Sequence, residues 1–197
     1  MSSDIENAIE KASAEKYDLN KKSAIFVENL PQASVETQKK MGEQVWSIFK
    51  TWHKWNFLDS SRYVETLEAL LPYVPEQYIP KLWEMACNEF EITGEDHAWM
   101  AEKAFVLLAP FLPSKEKISL LSRLDFEKFQ DKSKAAELLI MLGNEFSDEK
   151  QTELHLKAWE MNSRSGYSSE KNMKALSPSA HLIVWQRLLD EVIAKDN

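Results

Sequence analysis

The stretch LLPYVP occupies Leu70–Pro75, and the similar stretch LAPFLP follows 38 positions later at Leu108–Pro113. A second pair has twice that spacing: LWEM occupies Leu82–Met85, and AWEM occupies Ala158–Met161, 76 positions further on. Recurrence at a period of about 20–50 residues is typical of proteins built from copies of one small unit. The sequence therefore predicts a repeated helical hairpin whose turn contains the prolines.

Apolar residues recur at helical spacing along most of the chain. In the segment 34–57 they step by four, three, four and three positions, which places them on one face of a helix. These residues are Met41, Val45, Ile48, Trp52 and Trp55. Ser177 and Pro178 mark the start of a terminal helix. Its apolar residues, predicted to face inward, are Leu182, Trp185, Leu188, Leu189 and Val192.

The composition supports an all-α fold. Four glycines and seven prolines in 197 residues are too few for a turn-rich β-sandwich or barrel. We predict one all-α domain over 1–197, a short stack of antiparallel helical hairpins, with a compact helical bundle as the alternative arrangement. Its predicted parts are N-terminal helices (1–33), hairpin repeats (34–162), a polar linker (163–177) and a terminal helix (178–197).

The charge and the termini limit the classes of partner and compartment. A net charge of −8, with 20 lysines and only four arginines, disfavours a nucleic-acid partner, because phosphate binding needs a cationic surface. Cys87 is the only cysteine, which excludes an internal disulfide and predicts a small buried side chain. The sequence shows no secretion signal and no stretch of 18 apolar residues, so we expect a cytoplasmic protein that does not enter a membrane.

The pattern of an amphipathic helix ending in Leu70-Leu71-Pro72, a tight turn and a second amphipathic helix resembles the HEAT-like α-hairpin repeat family. Leu108-Ala109-Pro110 repeats that pattern, and the likeness covers about Ser60–Asn162. The chain lacks the aspartate-proline turn and the second-helix arginine of many such repeats. The resemblance implies a curved stack of hairpins that binds other proteins, mainly through the second helix of each hairpin. In this sequence those helices are predicted at about 75–88, 113–123 and 148–162.

Five residues are candidates for contact with a partner protein. Glu84 and Glu160 each follow a repeated tryptophan; the alternative interpretation is that both are ordinary glutamates facing solvent. Lys50, His53 and Lys54 lie among aromatic residues in the segment 46–57. That segment is interpreted either as core packing or as a basic aromatic ridge for a partner.

No motif indicates catalysis, a metal or a cofactor, so we expect none of the three. The histidines, His53, His97, His155 and His181, have no metal-binding spacing to one another. The leading functional hypothesis is a non-catalytic adaptor that binds another protein, and the acidic charge fits a basic one. A second hypothesis is an acidic inhibitor or immunity-type protein that blocks a basic active site or groove. A third is a helical enzyme that holds a metal or a tetrapyrrole-sized cofactor in its bundle core, in a cavity lined by these histidines together with carboxylates. The oligomeric state does not follow from the sequence.

Overall fold

The computed structural model describes residues 2–14, 18–52, 60–92, 98–164 and 174–195. Within these ranges all regular secondary structure is helical and no strand occurs, which confirms the all-α prediction. The chain forms two compact units, Met1–Ile92 (unit 1) and Thr93–Asn197 (unit 2). The predicted single domain and the predicted stacking of hairpins stay predictions.

Unit 1 is organised around its second helix. Its α-helices are α1 (Ser2–Ala14), α2 (Leu19–Asn29), α3 (Val35–Trp52), α4 (Ser60–Leu70) and α5 (Ile79–Ile92). Helix α2 packs against α1, α3 and α4, and its residue Phe26 is fully buried. The Asp18 side chain accepts a hydrogen bond from the Lys21 backbone N–H at 2.9 Å, which caps the start of α2.

The apolar stripe predicted for α3 is confirmed where side chains are described. Met41, Val45 and Ile48 are at most 5% exposed, so they form one buried face. The Trp52 side chain and residue Trp55 lie outside the described part of the chain. Cys87 on α5 is buried, as predicted for a small apolar side chain.

Unit 2 is organised around a pair of long helices. Its α-helices are α6 (Ala98–Leu108), α7 (Ser114–Leu120), α8 (Lys132–Gly143), α9 (Asp148–Arg164) and α10 (Pro178–Lys195). Helices α8 and α9 are joined by four residues and pack along each other; α8 also contacts α6, and α9 also contacts α10. The side chains that fill this core include Phe105, Phe129, Ala135, Leu138, Leu139 and Leu142.

The two LLPYVP-like stretches share one local backbone structure. In each, a 3-10 turn (Leu71–Tyr73 or Ala109–Phe111) follows an α-helix and ends at an extended residue. The Val74 N–H donates a hydrogen bond to the Leu71 carbonyl oxygen at 3.1 Å, and the Leu112 N–H donates one to the Ala109 carbonyl oxygen at 3.3 Å. Proline supplies no N–H and cannot continue an α-helix, which explains why the helix ends here.

The same turn occurs a third time, where the sequence comparison had missed it. Residues Leu30–Gln32 form a 3-10 turn after α2, and the Ala33 N–H bonds the Leu30 carbonyl at 3.2 Å. Only the Leu-Pro pair is shared with Leu71-Pro72, so sequence similarity alone is too short to reveal it. The recurrence is one of local conformation.

Helix α10 begins as predicted but turns a different face to its neighbour. The Ser177 hydroxyl accepts a hydrogen bond from the Ala180 N–H at 3.3 Å, which caps the helix. The residues buried on α10 are Ala180 and Val184, both 0% exposed. The prediction that Leu182, Trp185 and Leu189 face inward is wrong, since they are 71%, 56% and 54% exposed. The side chains of Leu188 and Val192, which were predicted to face inward with them, lie outside the described part of the chain.

A physical reason for the difference is the size of the side chains. Ala180 and Val184 are four positions apart and therefore lie on one face of α10. Their small side chains let the backbones of α9 and α10 approach closely, whereas a tryptophan on that face would hold the helices apart. The spacing of apolar residues shows which of them share one face of a helix. It does not show which face packs against a neighbouring helix.

Candidate functional site

Two aromatic rings stack at the surface of unit 1. Trp46 of α3 and Tyr78, which directly precedes α5, have ring centroids 4.7 Å apart and planes within 4°. The Lys81 ammonium lies 5.2 Å from the centre of the Tyr78 ring, within the range of a cation–π contact. We call Trp46, Tyr78 and Lys81 the aromatic ladder. Both rings are partly exposed, so the ladder contributes to the surface of unit 1.

A glycine brings the two rings of the ladder together. A Cβ atom at Gly42 would lie 2.9 Å from Pro75 Cγ and 3.2 Å from the Tyr73 carbonyl oxygen. Only glycine therefore lets α3 approach the proline turn without displacing it. Trp46 lies one helical turn beyond Gly42, and the Tyr78 N–H bonds the Pro75 carbonyl at 2.9 Å.

A carboxylate fixes the orientation of Tyr78. The Tyr78 hydroxyl donates to both Glu43 carboxylate oxygens, at 3.0 and 2.9 Å. This hydrogen bond raises the pKa of the Tyr78 hydroxyl, which therefore stays protonated at neutral pH. Glu43 is itself exposed, so the ladder has an acidic edge.

Two of the predicted contact residues flank the ladder. Lys50 is exposed on α3, four positions after Trp46, and Glu84 is exposed on α5, three positions after Lys81. These spacings place each charge next to a ladder residue on its own helix. The predicted residues His53 and Lys54 lie outside the described residues. Sequence reasoning missed Tyr78, whose only signal was its position three residues after Pro75.

Glu160, the remaining predicted contact residue, lies in unit 2 and takes part in an ion pair. Its Oε1 atom accepts a hydrogen bond from Arg187 Nη1 at 2.8 Å, which links α9 to α10. Both side chains are 45% exposed, so the pair adds little stability but holds Glu160 in place. The neighbouring Trp159 is partly buried, whereas Trp83 is 3% exposed and packs in a core.

Helix α10 presents an exposed apolar surface. Leu182, Trp185 and Leu189 follow the i, i+3, i+7 spacing of one helix face, and we call them the α10 apolar face. At one end of this face the Trp185 indole N–H donates to His181 Nε2 at 3.2 Å. A cluster of large exposed apolar side chains on one face is a mark of an interaction surface.

His155 is a buried histidine of unit 2, and its ring nitrogens form hydrogen bonds with backbone groups. The Ser177 N–H donates to its Nδ1 at 2.8 Å, so Nε2 carries the ring hydrogen and donates to the Ile140 carbonyl at 3.2 Å. Burial lowers the pKa of the His155 imidazole, and the bond to the Ile140 carbonyl opposes that shift. The neutral ring therefore joins α8 and α9 to the cap of α10.

Glu102 has a comparable role as a buried carboxylate. Its two oxygens accept hydrogen bonds from the backbone N–H groups of Gln130 and Asp131, at 2.6 and 3.1 Å. Burial raises the pKa of the Glu102 carboxyl, and these two hydrogen bonds oppose the shift. The carboxylate thus fixes the segment that leads into α8.

The features expected of an enzyme do not converge where the chain is described. His155 is enclosed by backbone partners, His181 lies on the surface of α10, and His53 and His97 lie outside the described ranges. A cleft of about 420 Å³ lies between α2 and α4 in unit 1. Its charged lining residues are Asp18, Lys21, Arg62 and Glu65, with no histidine among them.

The described ranges contain no group of three or more histidine, cysteine, aspartate or glutamate side chains placed to hold a metal ion. Of the helices described, none has both the length and the apolar character that a membrane span requires.

The chain matches no protein-family model, and searches of curated proteins and of solved structures give no match either. Its function must therefore be inferred from the surfaces described above.

Proposed function

We propose that the chain is a non-catalytic protein-interaction module that binds a partner protein through the aromatic ladder of unit 1. The observation that supports this proposal is the partly exposed stack of Trp46 on Tyr78, with the Lys81 ammonium over the Tyr78 ring. Tryptophan and tyrosine are enriched among the residues that supply most of the binding energy at protein interfaces.

The ladder is well organised for binding before any partner arrives. Stacking holds both rings, and the Glu43 carboxylate fixes the Tyr78 hydroxyl, so little side-chain entropy remains to be lost on association. Such a pre-ordered pair of side chains binds more tightly, because the conformational entropy of ordering the two rings is already lost when the protein folds. Lys50 and Glu84 would then form part of a polar rim that orients the partner.

The ionisable groups buried in unit 2 support a non-catalytic role. His155 and Glu102 both bind backbone groups that would otherwise be buried without a partner. Their hydrogen-bonding capacity therefore serves to hold the fold. The HEAT-like resemblance agrees with this class of function, because such α-hairpin proteins act mainly by binding other proteins.

The net charge of −8 favours a basic partner. Attraction between an acidic module and a basic protein increases the rate of association and weakens as salt screens it. We therefore expect binding to weaken as the salt concentration is raised from about 50 to 300 mM, mainly through a slower association rate.

Site-specific photo-crosslinking tests the proposed surface. A photoreactive phenylalanine is introduced in place of Lys50, Glu84 or, as a control on an exposed part of α2, Glu28. In extracts of the source cells, crosslinks to the same protein from positions 50 and 84, but not from position 28, support the proposal. Equal crosslinking at all three positions, or none at 50 and 84, contradicts it.

A second measurement links the crosslinked protein to the ladder. Trp46→Ala and Tyr78→Ala should each weaken binding of the purified partner by about 10-fold or more, because hot-spot truncations cost about 2 kcal/mol. Glu28→Ala should leave affinity unchanged. Far-UV circular dichroism checks that the helices of each variant remain intact.

A further inference from the structure

The start of α10 is attached to the core of unit 2 through one imidazole ring. Ser177, the residue that caps α10, donates its backbone N–H to His155 Nδ1 at 2.8 Å. The other ring nitrogen, Nε2, donates to the Ile140 carbonyl of α8 at 3.2 Å. His155 is 0% exposed, so water does not compete for these hydrogen bonds. We call His155, Ile140 and Ser177 the His155 bridge.

The bridge requires a neutral ring. A neutral imidazole has one nitrogen that donates and one that accepts, and the two backbone groups match these roles. A protonated ring carries a hydrogen on both nitrogens, so the Nδ1 hydrogen would face the Ser177 N–H, donor against donor. The ring has little room to turn away, because a Cβ atom at Gly143 would lie only 2.7 Å from His155 Cδ2. Protonation therefore displaces Ser177.

Ser177 cannot move without disturbing the first turn of α10. Its hydroxyl accepts from the Ala180 N–H at 3.3 Å, and its carbonyl accepts from the His181 N–H at 2.9 Å. The later turns of α10 have a separate attachment to α9, the hydrogen bond from Arg187 to Glu160 at 2.8 Å. Loss of the bridge therefore frees the first turns of α10 and leaves the later turns attached.

We propose that the His155 bridge is a pH switch that releases the first turns of α10, up to about residue 184, when the ring is protonated. This regulation acts within unit 2 and does not depend on the binding proposed for unit 1. Burial lowers the pKa of the bridged ring below its ordinary value of about 6.5, whereas release lets water reach the ring and returns its pKa toward that value. Opening therefore takes up a proton, and a falling pH favours it.

The surroundings of the bridge leave His155 as the group that senses pH. Charged or titratable side chains within one helical turn of the bridge residues or of Gly143 are Glu137 on α8, Glu145 before α9, Glu153 and Lys157 on α9, and Lys174 and His181 at the start of α10. None of these six contributes to the pKa shift of His155, whose causes are burial and the bond to the Ile140 carbonyl. His181 accepts the Trp185 indole N–H at 3.2 Å and so has a separate partner on the surface of α10.

Hydrogen exchange of the full chain, followed by NMR at low urea concentrations, tests the proposal. A local opening exposes little surface, so exchange through it depends weakly on urea, whereas exchange through global unfolding depends strongly. We expect the amides of residues 181–184 to exchange through a local opening. Their protection factors should fall at least about three-fold between pH 7.5 and 5.0, because opening takes up a proton.

The amides of residues 138–142 in α8 are the internal reference for global unfolding. If residues 181–184 show the same urea dependence as this reference, α10 does not open by itself and the proposal is overturned. Protection factors of residues 181–184 that stay constant with pH overturn it as well.

Two variants identify the group that titrates. The amide oxygen of His155→Asn can accept from the Ser177 N–H but does not titrate, so this variant should lose the pH dependence of protection at residues 181–184. His181→Gln removes the partly exposed histidine of α10 and should retain that dependence. A pH dependence that survives in His155→Asn, or disappears in His181→Gln, contradicts the proposal.

A measurement on the unmodified chain applies even where His155→Asn does not fold. Long-range ¹H–¹⁵N spectra of the imidazole give the pKa of His155 in the folded protein directly. Protection at residues 181–184 should fall between a pH of about 6.5 and that pKa. A loss of protection confined to any other pH range shows that His155 is not the switch.

Discussion

Gly143 lies at the end of α8 against His155 of α9, and replacing it tests how unit 2 is packed. A Cβ atom at this position would lie 2.7 Å from His155 Cδ2 and 2.9 Å from Nε2. The imidazole cannot move away easily, because the Ser177 N–H and the Ile140 carbonyl hold it on both sides. Gly143→Ala should therefore strain the helix pair and lower the free energy of unfolding.

The expected size of this effect follows from two opposing contributions. Overpacking of a buried contact costs about 1–3 kcal/mol. Replacing a helical glycine by alanine raises the free energy of unfolding by about 0.5–1 kcal/mol, because alanine gives the unfolded chain less conformational freedom. Gly143→Ala should therefore destabilise the protein by about 1 kcal/mol, within a range of roughly 0–2.5 kcal/mol. Urea unfolding of the full chain, followed by far-UV circular dichroism, measures this difference.

A double-mutant cycle attributes the strain to His155. His155→Ala alone should cost about 2–4 kcal/mol, since it leaves a cavity and two backbone groups without their partner. In that background only the gain from replacing glycine by alanine remains, so Gly143→Ala should be slightly stabilising, and the coupling energy should be about 1–3 kcal/mol. Gly42→Ala, whose Cβ would meet Pro75 and Tyr73 instead, is the control and should be additive with His155→Ala. If Gly143→Ala costs the same in both backgrounds, the imidazole is not the source of the strain.

Three further predictions concern buried or partly buried ionisable groups of unit 2. Burial lowers the pKa of His155 in the folded state, so the contribution of the neutral imidazole to the free energy of unfolding is complete above the unfolded pKa of about 6.5 and is lost as pH falls toward the folded pKa. Urea titrations between pH 7.5 and 5.5 should show this loss of stability. His155→Ala should remove this part of the pH dependence. Glu102→Ala should lower the free energy of unfolding by about 2–4 kcal/mol, because it leaves two backbone N–H groups without acceptors. Glu102→Gln retains one acceptor and should lower it by less. Equal losses in the two variants would contradict the hydrogen-bonding role of Glu102. Lys117→Met should cost about 1–2 kcal/mol, because Lys117 and Glu145 are 2.6 Å apart and only 16% and 20% exposed. Hydrogen bonds from Lys117 and Ser114 lower the pKa of Glu145 in the folded state. The stability that the pair contributes is therefore complete above a pH of about 4.5, the unfolded pKa of a glutamate, and is lost as the pH falls below that value. If Lys117→Met still lowers the free energy of unfolding at pH 2.5, the pairing is refuted.

Features that depend on neighbouring residues could be predicted from the sequence. The buried stripe Met41, Val45 and Ile48 and the Ser177 cap follow from helical spacing and local hydrogen bonding. The shared turn structure of Leu70–Pro75 and Leu108–Pro113 likewise depends on prolines at fixed positions. These signals are contained within a few residues.

Features that depend on distant residues could not be predicted. Trp46 stacks on Tyr78 because Gly42 lets α3 approach Pro75, and that pairing joins segments more than 30 positions apart. The exposure of Leu182 and Trp185 depends on which face of α10 meets α9. Lys50 and Glu84 could be proposed as surface residues, but the aromatic ladder between them required the tertiary structure.

The carboxylate of Glu102 has a consequence for the dynamics of a segment without α-helical structure. The side chains of Gln130 and Asp131 are exposed, yet their amide hydrogens are bound to a buried group of another element. Amide hydrogens exchange with solvent only when their hydrogen bond opens, so these two should exchange with deuterium as slowly as amides within α8. A surface loop would then report the opening of the helix core beneath it.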